Sequence, residues 1–134
     1  MRQFLYNKLV RDGILTDMIN KGETPVYHVL SDQEYVVELK KKLLEESTEI
    51  TTDDPAKLLG ELADLQEVID SLLTATGQTK DDLQAAQQKK HAKVGGFSKR
   101  YFVASASLDD DNPWLAYLVA NPDRYPEIGT ESKN

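Results

Sequence analysis

The sequence predicts an all-α protein, an antiparallel helical bundle, on three observations. Apolar residues recur at helical rather than alternating spacing through most of residues 31–94. Start signals open each periodic stretch, and glycines close two of the three where the period ends. The turns between the stretches are only about three to five residues long, which makes sequential helices antiparallel neighbours.

A short helix runs from about Asp12 to Lys21 and stops at Gly22, since glycine is the usual residue just past a helix end. Thr24-Pro25 breaks the chain. Residues 26–30 are β-prone and form either one short strand or an extended segment. Ser31 and Glu34 make a capping box that opens a helix reaching about Thr51. Asp54-Pro55, a cap followed by proline in the first turn, opens the next, which runs to Thr76 and Gly77. Thr79 starts a third long helix ending near Val94 at Gly95-Gly96. Beyond it, 101–103 is a short strand or docked segment and 105–111 a polar loop. Trp114 to Ala120 form a short apolar helix, and 121–134 is irregular with a disordered end. The chain divides into a domain over 1–103 and an extension over 104–134.

Composition narrows the function. With 134 residues the chain suits one domain with a small core. A net charge of −7 argues against a nucleic-acid polymer as partner, because phosphate backbones select basic surfaces. Without cysteine there is no disulfide framework and no thiolate metal site. Neither a leader nor a membrane-spanning run is evident, so a soluble cytoplasmic protein is expected.

Helical phase singles out four carboxylates. Each residue turns the helix by about 100°. Tyr35, Val36, Leu39, Leu43 and Ile50 define an apolar stripe, Glu46 falls inside it within about 20° of Leu39, and Glu49 lies on its border. On the following helix Leu58, Leu62, Leu65, Ile69 and Leu72 define the stripe. Glu61 and Asp64 lie beside it, whereas Glu67 and Asp70 point to the opposite side. Carboxylates drawn inward are costly unless paired or metal-bound. Two readings follow: a hard divalent cation, Mg²⁺ or Mn²⁺, or an ion-pair network with Lys89, Lys90 or Lys93. Asn7, Lys8 and Arg11 form a polar element before the first helix, read either as a solvated turn or as phosphate contacts.

Taken together, Asn-Lys-Leu-Val-Arg-Asp at 7–12, Glu-Glu-x-x-Glu at 45–49, Glu-Leu-Ala-Asp-Leu at 61–65 and the lysine-bearing helix into Gly-Gly-Phe at 90–97 resemble the all-α nucleoside triphosphate pyrophosphatases. This is the MazG-like superfamily, which includes phosphoribosyl-ATP pyrophosphohydrolase; the nearest likeness is to its small single-domain house-cleaning branch. The resemblance implies that Glu46, Glu49, Glu61 and Asp64 bind Mg²⁺ and that Glu45 supports the site. Lys90 takes the place of the family lysine, and Asn7, Lys8 and Arg11 meet phosphate or substrate. Val94 stands where that branch often has arginine, and the neighbouring Lys93 is the substitute. The implied reaction converts a nucleoside triphosphate, canonical or not, to monophosphate and pyrophosphate, with Glu45 or Glu49 as proton acceptor. A small helical unit with an uncovered apolar face also calls for a homodimer or higher homo-oligomer. The rival readings are a phosphoribosyl-nucleotide substrate and a non-catalytic helical oligomerisation module.

Overall fold

The computed structural model describes residues 1–129 and contains five helices and, among those residues, no strand. Helix α1 spans Asp12–Asn20, α2 Asp32–Thr48, α3 Pro55–Ala75, α4 Lys80–Val94 and α5 Leu115–Ala120. The all-α expectation holds. Segments 26–30 and 101–103 run without strand pairing, and most of their side chains are exposed. Residues 121–129 are irregular as expected; the rest of that tail, 130–134, lies outside the described residues.

Local chemistry accounts for the helix ends. The Ser31 Oγ accepts from the Glu34 N–H at 3.2 Å, and the Ser31 N–H donates to Glu34 Oε1 at 3.4 Å, which completes the capping box of α2. Asp54 Oδ1 accepts from the Ala56 N–H at 3.0 Å at the start of α3, with Pro55 just inside. Thr79 and Asp82 cap α4 reciprocally, at 3.1 and 2.9 Å. At the end of α3, Gly77 adopts a left-handed φ of 71°. Its N–H donates to the Thr74 carbonyl at 3.2 Å, and the Gln78 N–H donates to the Leu73 carbonyl at 2.8 Å. This pair of bonds is a Schellman motif, and Gly22 closes α1 the same way. Helix α2 ends at Thr48, short of the expected Thr51. The β-branched run Ile50-Thr51-Thr52 is a poor continuation, and the Ser47 and Thr48 hydroxyls donate back to the carbonyls of Leu44 and Glu45.

Helices α2 and α3 pack against each other as a hairpin. Tyr35, early in α2, shares a surface hollow with Ser71, Thr74 and Ala75, late in α3. Glu46, late in α2, feels the charge of Asp64, in the first half of α3. The two helices are therefore antiparallel. Leu39, 3% exposed, and Val68, 7% exposed, are the buried centre of the seam. The inward face of α3 follows Glu61, Leu65, Val68 and Leu72, a 4-3-4 spacing. This corrects the expected stripe: Leu62 is turned outward and Val68 takes the centre. Asp70 is also corrected. It is only 25% exposed, accepts from Gln66 at 2.8 Å and pairs with Lys80 at 3.1 Å, tying α4's start to α3.

Helix α4 does not complete a three-helix bundle within the chain. Every one of its residues is exposed. Leu83 and Val94 are its large apolar side chains, too few and too far apart to form a stripe that packing would reward.

The chain divides into two compact units, Met1–Val94 and the segment from Gly95 onward. In the second, the Trp114 and Tyr117 rings meet edge-on at 6.3 Å, Tyr117 and Tyr125 at 6.0 Å, and the Arg124 guanidinium lies 5.7 Å from the Tyr125 ring centre.

Candidate active site

The carboxylates singled out by helical phase gather on the α2–α3 hairpin, and the N-terminal element reaches across to them. Asn7 has a left-handed φ of 45°, a conformation asparagine tolerates better than most residues. The chain turns there, and Lys8 Nζ donates to Glu45 Oε1 at 3.0 Å. Three residues on, Arg11 Nη2 donates to Asp64 Oδ1 at 2.8 Å. One short segment thus pairs with a carboxylate on each of the two helices.

A third cation, missed by sequence reasoning, lies inside the group. Lys42 Nζ is 3.5 Å from Glu45 Oε2 and 3.6 Å from Glu46 Oε1, and its side chain is only 21% exposed. The signal was available: three- and four-residue spacings place side chains together on a helix. It was hidden in the run Lys40-Lys41-Lys42, which looks like a solvated face.

The electrostatics differ from one carboxylate to the next. The hydrogen bond from Lys8 holds the Glu45 carboxyl below the usual range, with Lys42 adding to it. Glu45 in turn holds the Lys8 ammonium above its usual value. Glu46 goes the other way. Its side chain is 15% exposed, and burial pushes its carboxyl up, with Glu49, Asp64 and Glu45 adding repulsion against the opposing pull of Lys42. Glu61 is half-buried, and its Oε2 is shut away from solvent without a hydrogen-bond partner. Glu49 is exposed at the C-cap of α2.

Not all the predicted residues converge. Lys8, Arg11, Glu45, Glu46, Glu49 and Asp64 interact, with Glu61 one turn before Asp64. Lys90 and Lys93 do not join them: both are exposed on α4 and form no ion pair among the described residues. Lys89 likewise has no ion pair among the described residues, so the cations facing the carboxylates are Lys8, Arg11 and Lys42 rather than those of α4. Among the described residues no three His, Cys, Asp or Glu side chains stand in positions to hold one metal ion. The donor set nonetheless suits a hard divalent cation in its chemistry, being all carboxylate oxygen. The orphaned Glu61 oxygen is the kind of buried acceptor that such a cation would satisfy.

No helix among the described residues is long and apolar enough to cross a membrane. No family model, no curated protein and no solved structure matches this chain.

Proposed function

We propose that the protein is a Mg²⁺-dependent nucleoside triphosphate pyrophosphohydrolase, releasing monophosphate and pyrophosphate. One observation carries the reading. The two cations expected to meet phosphate, Lys8 and Arg11, lie against carboxylates on both helices expected to bind the metal, 3.0 Å from Glu45 and 2.8 Å from Asp64. Local spacing in the sequence does not dictate that coincidence.

Glu46, Glu49, Glu61 and Asp64 would hold Mg²⁺, or Mn²⁺ in its place. When bound, the ion supplies charge neutralisation and polarisation of phosphoryl oxygens. The protein's own groups account for the rest. Lys8 and Arg11 stabilise negative charge on the phosphates and on the departing pyrophosphate. A water oxygen bonds to the α-phosphorus as the bond from that phosphorus to the β-bridging oxygen breaks. Glu45, next to Glu46 on α2, and the exposed Glu49 are the candidates to take the water's proton.

The working form would be a homodimer or larger homo-oligomer. Only Leu39 and Val68 are buried hydrophobics among the described residues, while Val37 and Leu44 on α2 and Leu59 and Leu62 on α3 are exposed. Two such hairpins packed together give a four-helix bundle, the simplest closed arrangement that covers these faces.

The test is pyrophosphate release from a panel of nucleoside triphosphates, with and without Mg²⁺. Activity is expected to need the ion and to fall by at least about 100-fold in Glu46→Gln and Asp64→Asn, with the helical circular-dichroism signal kept. Full activity in both variants would end the reading. Loss of the helical signal would point to a structural ion network instead.

A further inference from the structure

We propose that the Asn7–Asp12 segment is an exchange strap: Arg11 and Lys8 hold Asp64 and Glu45 until a divalent cation takes Asp64, and then pass to the phosphates of the substrate. The proposal rests on the pyrophosphohydrolase reading and adds to it a link between metal binding and phosphate binding.

The geometry sets the conflict that an exchange resolves. The Arg11 guanidinium lies 2.8 Å from Asp64 Oδ1, one of the two oxygens of a carboxylate proposed for the cation site. Lys8 lies 3.0 Å from Glu45 Oε1, and Lys42 reaches toward both Glu45 and Glu46. These pairings hold the carboxylates to separate partners rather than to one point. A divalent cation and a guanidinium beside the same carboxylate repel each other. Entry of the ion therefore favours departure of Arg11, and a polyphosphate is the nearest new anion for it.

The same residues make the exchange easy. Arg11 and Asp64 are 56% and 51% exposed in their side chains, so water screens their attraction and either can be released at little cost. Between the two cations, Leu9 and Val10 are half-buried, which keeps the backbone in place while the exposed heads turn. Lys42 differs. It is on the same helix as its partners and mostly buried, so it stays.

Exchange predicts effects of opposite sign from one substitution. The full chain is titrated by calorimetry with Mg²⁺ alone, then with pyrophosphate at saturating Mg²⁺, for the wild type, Arg11→Gln and Arg11→Lys. Arg11→Gln is expected to bind Mg²⁺ about threefold tighter, because a competitor is gone, and pyrophosphate about tenfold more weakly, because a charged donor is gone. Arg11→Lys is expected to recover part of both wild-type values. In the wild type, the Arg11 Nε–Hε resonance should shift with Mg²⁺ alone and again with pyrophosphate. Mg²⁺ binding that is unchanged or weaker in Arg11→Gln overturns the strap while leaving the metal site standing. No Mg²⁺ binding by any of the three proteins overturns the metal reading and the strap with it.

Discussion

Arg11 and Asp64 lie 53 positions apart in sequence and are joined by a 2.8 Å charged hydrogen bond. The bond fixes the segment before α1 against the first half of α3. Both side chains are more than half exposed, which limits what the pair contributes to folding. Arg11→Ala is accordingly expected to lower stability by less than about 1 kcal/mol in urea unfolding, while pyrophosphate release falls at least about tenfold. A large loss of stability would recast Arg11 as a structural residue.

Glu46 makes the fold sensitive to pH in a definite direction. Burial raises its carboxyl above the usual value in the folded chain, so the folded state binds its proton more tightly than the unfolded state does. Its contribution to stability is therefore fullest below the ordinary carboxylate range and diminishes as pH rises through the raised value. Glutamine imitates the protonated form. Without divalent cations, Glu46→Gln should melt higher than wild type at neutral pH, and the gap should narrow toward pH 4. An equal or lower melting temperature for the variant at neutral pH would contradict this account of the site.

A cation that binds the folded chain and not the unfolded one stabilises it by mass action. At about 100 times its dissociation constant the gain is about 2.7 kcal/mol, on the order of 8 °C in melting temperature for a chain of this size. Mg²⁺ and Mn²⁺ should produce such a rise, and a nucleotide should enlarge it. Glu61→Gln should remove most of it, since its Oε2 is the buried oxygen left without a partner. Scanning calorimetry with Na⁺ at matched ionic strength separates this from general screening. A rise that survives Glu61→Gln would place the ion elsewhere.

The helix ends were legible because capping is local: Ser31 with Glu34, Asp54 with Pro55, and Gly22 and Gly77 all act within a few residues of themselves. The inward turn of Glu46 was legible for the same reason, since phase depends only on spacing along one helix. The partners of Lys8 and Arg11 were not, because pairings 37 and 53 positions apart depend on how the hairpin folds. The isolation of α4 was written in its own composition: a lysine such as Lys90 has no apolar stripe there to carry it inward. Its start and stop signals and the short turn before it, rather than an apolar stripe, are what suggest a third bundle helix.

Those local caps offer their own stability check. Ser31→Ala removes the hydroxyl that accepts from the Glu34 N–H at 3.2 Å, at an expected cost of about 1 kcal/mol. Gly77→Ala forces a side chain into a backbone with φ of 71°, costing about 1 kcal/mol or slightly more. Apart from Gly77 and its two chain neighbours, no heavy atom among the described residues lies within 4 Å of where the new Cβ would stand, so the penalty is conformational rather than a clash. The two sites share no partner, so the costs should add within about 0.5 kcal/mol in the double variant. Chemical denaturation of the two single variants and the double variant measures this directly.

The proposed homo-oligomer would contribute to the stability of the hairpin as well as to its site. Among the described residues only Leu39 and Val68 are buried hydrophobics, a small core to set against a conformational entropy cost of roughly 1–2 kcal/mol per residue. Leu44 and Leu59, each 69% exposed, lie on faces of α2 and α3 that a second copy would cover. Sedimentation equilibrium at micromolar concentration should therefore give at least twice the 15.1 kDa chain mass. The melting temperature should rise with protein concentration, as it does when folding and association are linked. Leu44→Glu and Leu59→Glu place charge in the proposed interface and should shift the protein toward monomer with loss of cooperative melting. A monomeric wild type with a sharp, concentration-independent transition would show that the hairpin is stable alone, and the oligomer would be withdrawn.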